Sequence, residues 1–400
     1  MKYNFDKVID RSGTSAEKVE GLKHIWGRTD LIPLWVADMD FATAPFVTDA
    51  IRKRCENEVL GYTGKPDSYY NAIINWVKQR YDLIVTKEVI NFVPGIVPGI
   101  GMAMNCFTQK GDKVMIQPPV YHPFAWVTTR NERTLVINPL KWENGMYRMD
   151  LDAFREQIKG CKLFILCNPH NPGGVVWTEA ELRAIADICY DEKVLVFSDE
   201  IHADLTLPPH THRPFATVSE KARMNSVTFM SPSKAFNMPG LSASHALIFN
   251  EDLRKRFRIY MDAGELDMGH VFAFLSVEAA YSHGTEWLDQ CLAYIQGNID
   301  FVDEFLKKHA PKIKAIRPEA SYLVWLDCRE LELSQKDLNE FFVDKAHLAL
   351  NDGEMFGKEG IGFMRLNVAS PRCIIEKAMK QLADAYQLLS LIHISEPTRP

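Results

Sequence analysis

The chain has 400 residues, with 46 Lys and Arg against 52 Asp and Glu, giving a net charge of −6. At about 100–200 residues per domain, that length fits two to three domains, or one large enzyme fold with an added lobe. With 46% hydrophobic and 24% charged residues and no basic tract, a disordered chain, a nucleic-acid binder and a binder of anionic membranes are excluded.

In chain order, the opening MKYNFDKVIDRSG lacks the apolar core of a signal peptide. No apolar run reaches the ~18–20 residues needed to cross a bilayer, so a cytoplasmic protein is expected. PGIVPGIG (94–101) precedes an apolar helical stretch. Gly95 there allows close backbone approach to a phosphate at a helix N-terminus. It is not a dinucleotide fingerprint, because after Gly99 and Gly101 the third glycine is replaced by Met104. KVMIQPP (113–119), KLFILCNP (162–169), VLVFSDE (194–200), SVTFMSP (226–232) and HALIFN (245–250) are short apolar runs closed by Pro, Asn or charge. That pattern predicts buried strands of a mostly parallel sheet. TEAELRAIADICYDEK (178–193) opens on a capping box, Thr178 with Glu181, and places Leu182, Ile185, Ala186 and Cys189 on one face. Strand–helix–strand repetition predicts a doubly wound α/β domain, with ligands at the carboxyl ends of its strands.

The final third reads as a smaller α+β lobe joined by the N-terminal segment. It has a long helical stretch over about residues 271–310, strands in SYLVWLDC (321–328) and GIGFMRLNVAS (360–370), and a last helix, PRCIIEKAMKQLADAYQLL (371–389). LSLIHISEPTRP (389–400) breaks that helical pattern. It resembles the translation of a common transposon-type sequencing adapter, so these residues are expected to be non-native and carry no fold argument. The expected division is a large domain over 46–284 and a small one from 1–45 with 285–388.

The eight cysteines form no CxxC pair, so free thiols and no metal site are expected. His210 and His212, in PPHTHRP (208–214), are expected on a proline-rich surface loop.

Several side chains could carry chemistry. Asp199 and Glu200 close an apolar strand, where an acid can meet a ligand or cap the next turn. Lys234, flanked by Ser231 and Ser233, is either solvated surface or an amine that condenses with a carbonyl. NPHNPGG (168–174) is a turn signature that can aim the Asn171 amide at a ligand. Arg365, between apolar neighbours, either grips a carboxylate or makes an internal salt bridge.

Their order along the chain resembles the fold-type I pyridoxal 5'-phosphate (PLP) enzymes of the class I/II aminotransferase superfamily. WVADMDFATAP (35–45), GYTGKPDSYYNAIINW (61–76), NFVPGIVPGI (91–100), QPPVYHPF (117–124), NPHNPGGVVWT (168–178), SDEIHADL (198–205), SPSKAFNMPGL (231–241) and GFMRLNVASPR (362–372) resemble its MalY/PatB branch over residues 5–388. That branch contains cystathionine β-lyases and related cysteine-S-conjugate β-lyases. The resemblance implies an α/β fold with a mostly parallel seven-stranded sheet plus a smaller α+β domain.

It also implies roles. Lys234 holds the cofactor covalently and shuttles the Cα proton. Asp199 pairs with the pyridine nitrogen, Asn171 with the ring oxygen, and His202 lies near the same oxygen. Tyr121 stacks on the ring. Gly95, Ile96, Ser231 and Ser233 serve the phosphate, and Arg365, with Asn171, takes the substrate carboxylate. Tyr62 reaches the phosphate from a partner subunit, which implies a homodimer. One departure is Ser242, which stands eight residues past Lys234, where many superfamily members have a phosphate-binding arginine. The reaction implied is α,β-elimination of a thioether amino acid to thiol, pyruvate and ammonia. An aminotransferase using the same lysine, and a PLP-binding regulatory protein without catalysis, remain alternatives. GELDMGHVFAF (264–274) is a candidate lining of the side-chain pocket.

Overall fold

The computed structural model describes residues 3–395, with 390–395 as backbone only. Its centre is a seven-stranded sheet of β1 (Ile90–Val93), β2 (Lys113–Ile116), β3 (Thr134–Ile137), β4 (Cys161–Cys167), β5 (Leu195–Asp199), β6 (Ser226–Met230) and β7 (Ser244–Leu247), in spatial order β1-β7-β6-β5-β4-β2-β3. Only β7 runs antiparallel to its neighbours. All five strands expected from the apolar runs are present. The two others, β1 and β3, are the edge strands of the sheet and are no shorter than β2 and β7.

Successive side chains of the sheet feed two cores. On β5, Phe197 joins the cluster with Ile100 and Phe229, whereas Val196 joins the one with Leu182 and Ile185. This period-two division makes the strand apolar on both faces. The helix Glu179–Asp191 opens with the expected capping box: Glu181 N–H donates to Thr178 Oγ1, and Thr178 N–H donates to the Glu181 carboxylate at 2.8 Å. The stretch over 271–310 is two helices, Ala273–His283 and Thr285–His309. A Cβ at Gly284, between them, would lie 2.2 Å from the Ala280 carbonyl and 2.3 Å from the Phe236 ring, so this junction admits only glycine.

The second sheet is antiparallel, in order β8 (Lys314–Ile316), β9 (Leu323–Asp327), β11 (Phe363–Asn367), β10 (Asn351–Asp352). Ile32–Pro33 pairs in parallel with Leu348–Ala349, so the N-terminal segment is built into this C-terminal lobe. The last helix runs Arg372–Ser395, past the break expected at residue 389, and Leu389 packs on the core. The remainder of the expected adapter-derived tail, 396–400, lies outside the described residues.

The NPHNPGG turn after β4 is clamped to the second lobe. The Glu319 and Ala320 amides both donate to the Gly174 carbonyl. Gly174 has φ +70°, and a Cβ there would lie 2.5 Å from Pro318 Cβ. Gly174→Ala is therefore expected to destabilise the protein by about 1–3 kcal/mol. Urea denaturation at unchanged slope measures it, and a midpoint equal to the parent's contradicts the clamp.

Candidate active site

The carboxyl ends of the sheet strands converge on one cavity of about 200 Å³. Cys167 and Asp199, register partners at the ends of β4 and β5, form part of its wall. The turn after β4 adds Asn171, the turn after β5 adds His202, and the turn after β6 adds Ser233 and Lys234. Tyr121, from the PPVY turn after β2, and Gly95, Ile96 and Val97, at the start of the helix Ile96–Phe107, complete it together with Ser242 and Ser244.

Eight expected site residues thus meet in this wall: Lys234, Asp199, Asn171, His202, Tyr121, Gly95, Ile96 and Ser233. Three others stand apart. Arg365 lies behind Asn171, donating from Nη1 to its Oδ1 at 3.1 Å. Ser231 lies behind the wall, where its hydroxyl donates to the Ala243 carbonyl and accepts from the Ser233 amide. Tyr62 is 98% exposed and does not enter the cavity of its own chain. The 264–274 segment also lies elsewhere: His270 bonds the Leu241 carbonyl, and Asp267 pairs with Lys65. His212, expected on the surface, is buried and bonded to Glu200 at 2.7 Å, because the loop folds in to cap the acid. His210 remains half-exposed.

Similarity to known proteins follows the same lines. The family model for aminotransferase class I and II matches residues 29–382. The chain belongs to this family. It is 38% identical over 384 residues to the cystathionine beta-lyase PatB of Bacillus subtilis, covering 96% of this chain and 99% of that protein. It is 30% identical to the protein MalY of Escherichia coli, covering 96% and 98%. The PLP-bound C-S lyase of Staphylococcus hominis superposes with a TM-score of 0.89 at 35% identity, covering 96% and 98%.

The cavity of this family member has two chemically distinct ends. At one, burial pushes the Asp199 carboxyl up to about 7; the nearby Glu200 charge adds to the rise, while the Ile201 amide and Lys234 oppose it. Among the described residues no cationic side chain bonds the Asp199 carboxylate, which accepts from the Ile201 amide at 3.1 Å. A carboxylate so placed fits a protonated ring nitrogen. At the other end stand the first-turn amides of Ile96 and Val97, which have no intrahelical acceptor, and the hydroxyls of Ser233, Ser242 and Ser244. Gly95 has φ +146°, a conformation side-chain-bearing residues rarely adopt, and it lets the backbone approach an anion. An acid at one end and an anion cradle at the other fit PLP. Ser242 is in the left-handed region at φ 46° and supplies a hydroxyl, not a charge.

Between these ends, burial and the nearby Arg365 charge pull the Lys234 amine down to about 8. Burial lowers the Arg365 guanidinium to about 10 and the His202 imidazole to about 3. Tyr121 is pushed up, chiefly by burial.

The WVADMD segment had no site role assigned from sequence, yet it roofs the cavity. Lys234 Nζ and Tyr322 OH donate to the Ala37 carbonyl at 2.6 and 2.9 Å. Arg365 Nη2 donates to the Trp35 carbonyl at 3.0 Å. Asn367 Nδ2 bridges the Val36 and Asp38 carbonyls at 2.6 and 2.7 Å. The only signal in the sequence was the pair of acids, Asp38 and Asp40, in an otherwise apolar run.

Asp199 gives a testable sign. In the unfolded chain its carboxyl ionises near 3.8, and in the folded cofactor-free protein near 7. Between those values the unfolded state has released a proton the folded state keeps, so stability falls as pH rises. Asp199→Asn is expected to stabilise the cofactor-free protein by about 2–4 kcal/mol above pH 7, with the gain gone below pH ~4. Denaturant midpoints at both pH values check this; equal gains at both contradict it.

Proposed function

We propose that the protein is a PLP-dependent carbon–sulfur β-lyase of the cystathionine β-lyase type. The observation that carries this reading is the cavity itself: Lys234, Asp199 and Asn171 line it with Arg365 behind, in a chain 38% identical over nearly its whole length to a cystathionine beta-lyase. The net reaction takes a cysteine thioether and water to a thiol, pyruvate and ammonia.

Bound PLP supplies an electron sink for negative charge at the substrate Cα. The remaining work falls to the protein. Lys234 anchors the cofactor and, lowered to about 8, is a base matched to removing the Cα proton near neutral pH. Asp199 would hold a proton at the ring nitrogen, Asn171 would donate to the ring oxygen with His202 beside it, and Tyr121 would cover the ring and exclude water. Ser231 and Ser233 shape the phosphate turn with the Gly95 and Ile96 backbone.

Arg365 binds the α-carboxylate. Among the described residues its buried Nε has no protein partner, which leaves that donor for the substrate. Holding the carboxylate would fix rotation about Cα and so present the Cα proton to Lys234. Lys234 or a tyrosine then delivers a proton to the leaving sulfur.

The enzyme acts as a homodimer, in which Tyr62 of the partner subunit meets the phosphate. Val59, Leu60 and Tyr62 form an exposed apolar run that a second subunit would cover. Residues 46–284 form the large domain, and 1–45 with 285–388 the small one. All eight cysteines are free, as a cytoplasmic protein requires. Among the described residues no helix is long and apolar enough to cross a membrane.

The test is turnover of L-cystathionine or an S-alkyl cysteine. Pyruvate and free thiol are expected in equal amounts, and Lys234→Ala is expected to abolish both. Amino transfer to a 2-oxo acid without thiol release refutes the lyase. Coexpressing Lys234→Ala with Tyr62→Ala chains tests the shared site. Each mixed dimer should regain one working site, and no recovery contradicts the trans placement.

A further inference from the structure

A buried acid–imidazole cluster lies behind the cavity, beyond the strand that carries Asp199. Side chains alternate along that strand, so Ser198 faces away from the cavity, and Glu200 folds back to meet it. The Glu200 carboxylate has no exposed atoms of consequence, with 0% of its side chain accessible. It accepts from Ser198 Oγ at 2.7 Å, from the Phe215 amide at 2.8 Å and from His212 Nε2 at 2.7 Å. His212 Nδ1 is buried without a partner, so the ring carries its proton on Nε2 and donates it to Glu200. Every partner of Glu200 is a donor, which is the bonding pattern of a carboxylate. The Asn168 amide side chain donates to the Arg213 carbonyl, tying the same loop to the turn that carries Asn171.

Other charged groups surround this pair. On the far side, Tyr81 packs edge-on to His212 at 5.5 Å, and Tyr81 and Trp76 both donate to Asp204, with Arg80 nearby. On the cavity side, Asp199 faces Lys234, Cys167 and Tyr121. Glu200 therefore places its carboxylate one residue from Asp199, out of contact with water. The upward push that Glu200 exerts on the Asp199 carboxyl has the same origin.

We propose that Glu200, held by Ser198, Phe215 and His212, is a positioning residue whose charge tightens the hold on the proton shared between Asp199 and the ring nitrogen of bound PLP. This rests on the reading of Asp199 as the partner of that nitrogen. A second negative charge behind the pair raises the cost of losing the proton. Glu200 touches neither substrate nor cofactor, so its influence runs through Asp199.

The experiment compares wild type and Glu200→Gln, each loaded with PLP or with an analogue whose ring nitrogen is replaced by C–H. With PLP, the variant is expected to lose about tenfold in kcat with KM little changed. The pH titration of its visible absorption band is expected to shift down by about one unit. With the carbon analogue, wild type loses most of its activity and the variant matches it. An unshifted titration, or the same loss with both cofactors, overturns the inference, because a merely structural role does not depend on the ring atom. If wild type is indifferent to the analogue, the Asp199 reading falls and the inference falls with it. Should Glu200→Gln not fold, Glu200→Asp is the milder variant: it keeps the charge, so it is expected to leave the band titration near that of wild type, and a shift of about one unit overturns the inference.

Discussion

Asp199 and Arg365 are buried, and Lys234 half-buried, around one small cleft, and withdrawing such groups from water is costly unless each finds partners. The solution is a wrapping of backbone. Arg365 and Lys234 each donate to a carbonyl of the 35–38 segment, and Asn367 takes two more. This roof is held in turn by Asp38 and Asp40, which pair with Arg11 and the fully buried Lys18. Without it, two cationic groups would face an apolar wall with too few acceptors.

The same requirement joins the two lobes. Lys234 comes from the large sheet, Arg365 and Asn367 from the small one, and the 35–38 segment lies between them. The pairing of Ile32–Pro33 with Leu348–Ala349 directs the segment across the cleft. The Gly174 carbonyl, accepting from Glu319 and Ala320, closes the opposite side. A site assembled this way has its groups fixed before any ligand arrives, which is the condition for orientation to assist chemistry.

Burial also decides the electrostatics. Lys234 is lowered and Asp199 raised mainly because water is absent, with neighbouring charges adding smaller shifts. A base that gives up its proton more readily and an acid that holds its own more tightly are costly to the empty protein and useful to the loaded one. Among the described residues, the end of the cavity at Ile96 offers hydroxyls and helix amides and no cationic side chain beside them, which suits an anion held by the helix N-terminus.

The sequence by itself determined the strands and their chemistry-bearing ends. Apolar runs closed by Asn, Asp–Glu and Ser–Pro–Ser–Lys marked β4, β5 and β6, and the carboxyl-end rule for α/β sheets put Asn171, Asp199 and Lys234 together. The capping box of the helix Glu179–Asp191 was equally legible, because its signal is local. What only the tertiary structure decided depends on distant contacts. β1 and β3 are the edge strands, and only pairing with β7 and β2 places them in the sheet. His212 lies in a proline-rich loop with a surface composition, and only the proximity of Glu200 turns it inward. The roof over the cavity is made of carbonyls, which every residue has, so no side-chain pattern could reveal it. Tyr62 lies exposed on its own chain, away from the cavity, which its sequence context alone does not reveal. Local periodicity writes elements into sequence, whereas pairings across some two to three hundred residues, such as Lys234 with Ala37 and Arg365 with Trp35, exist only once the chain has closed on itself.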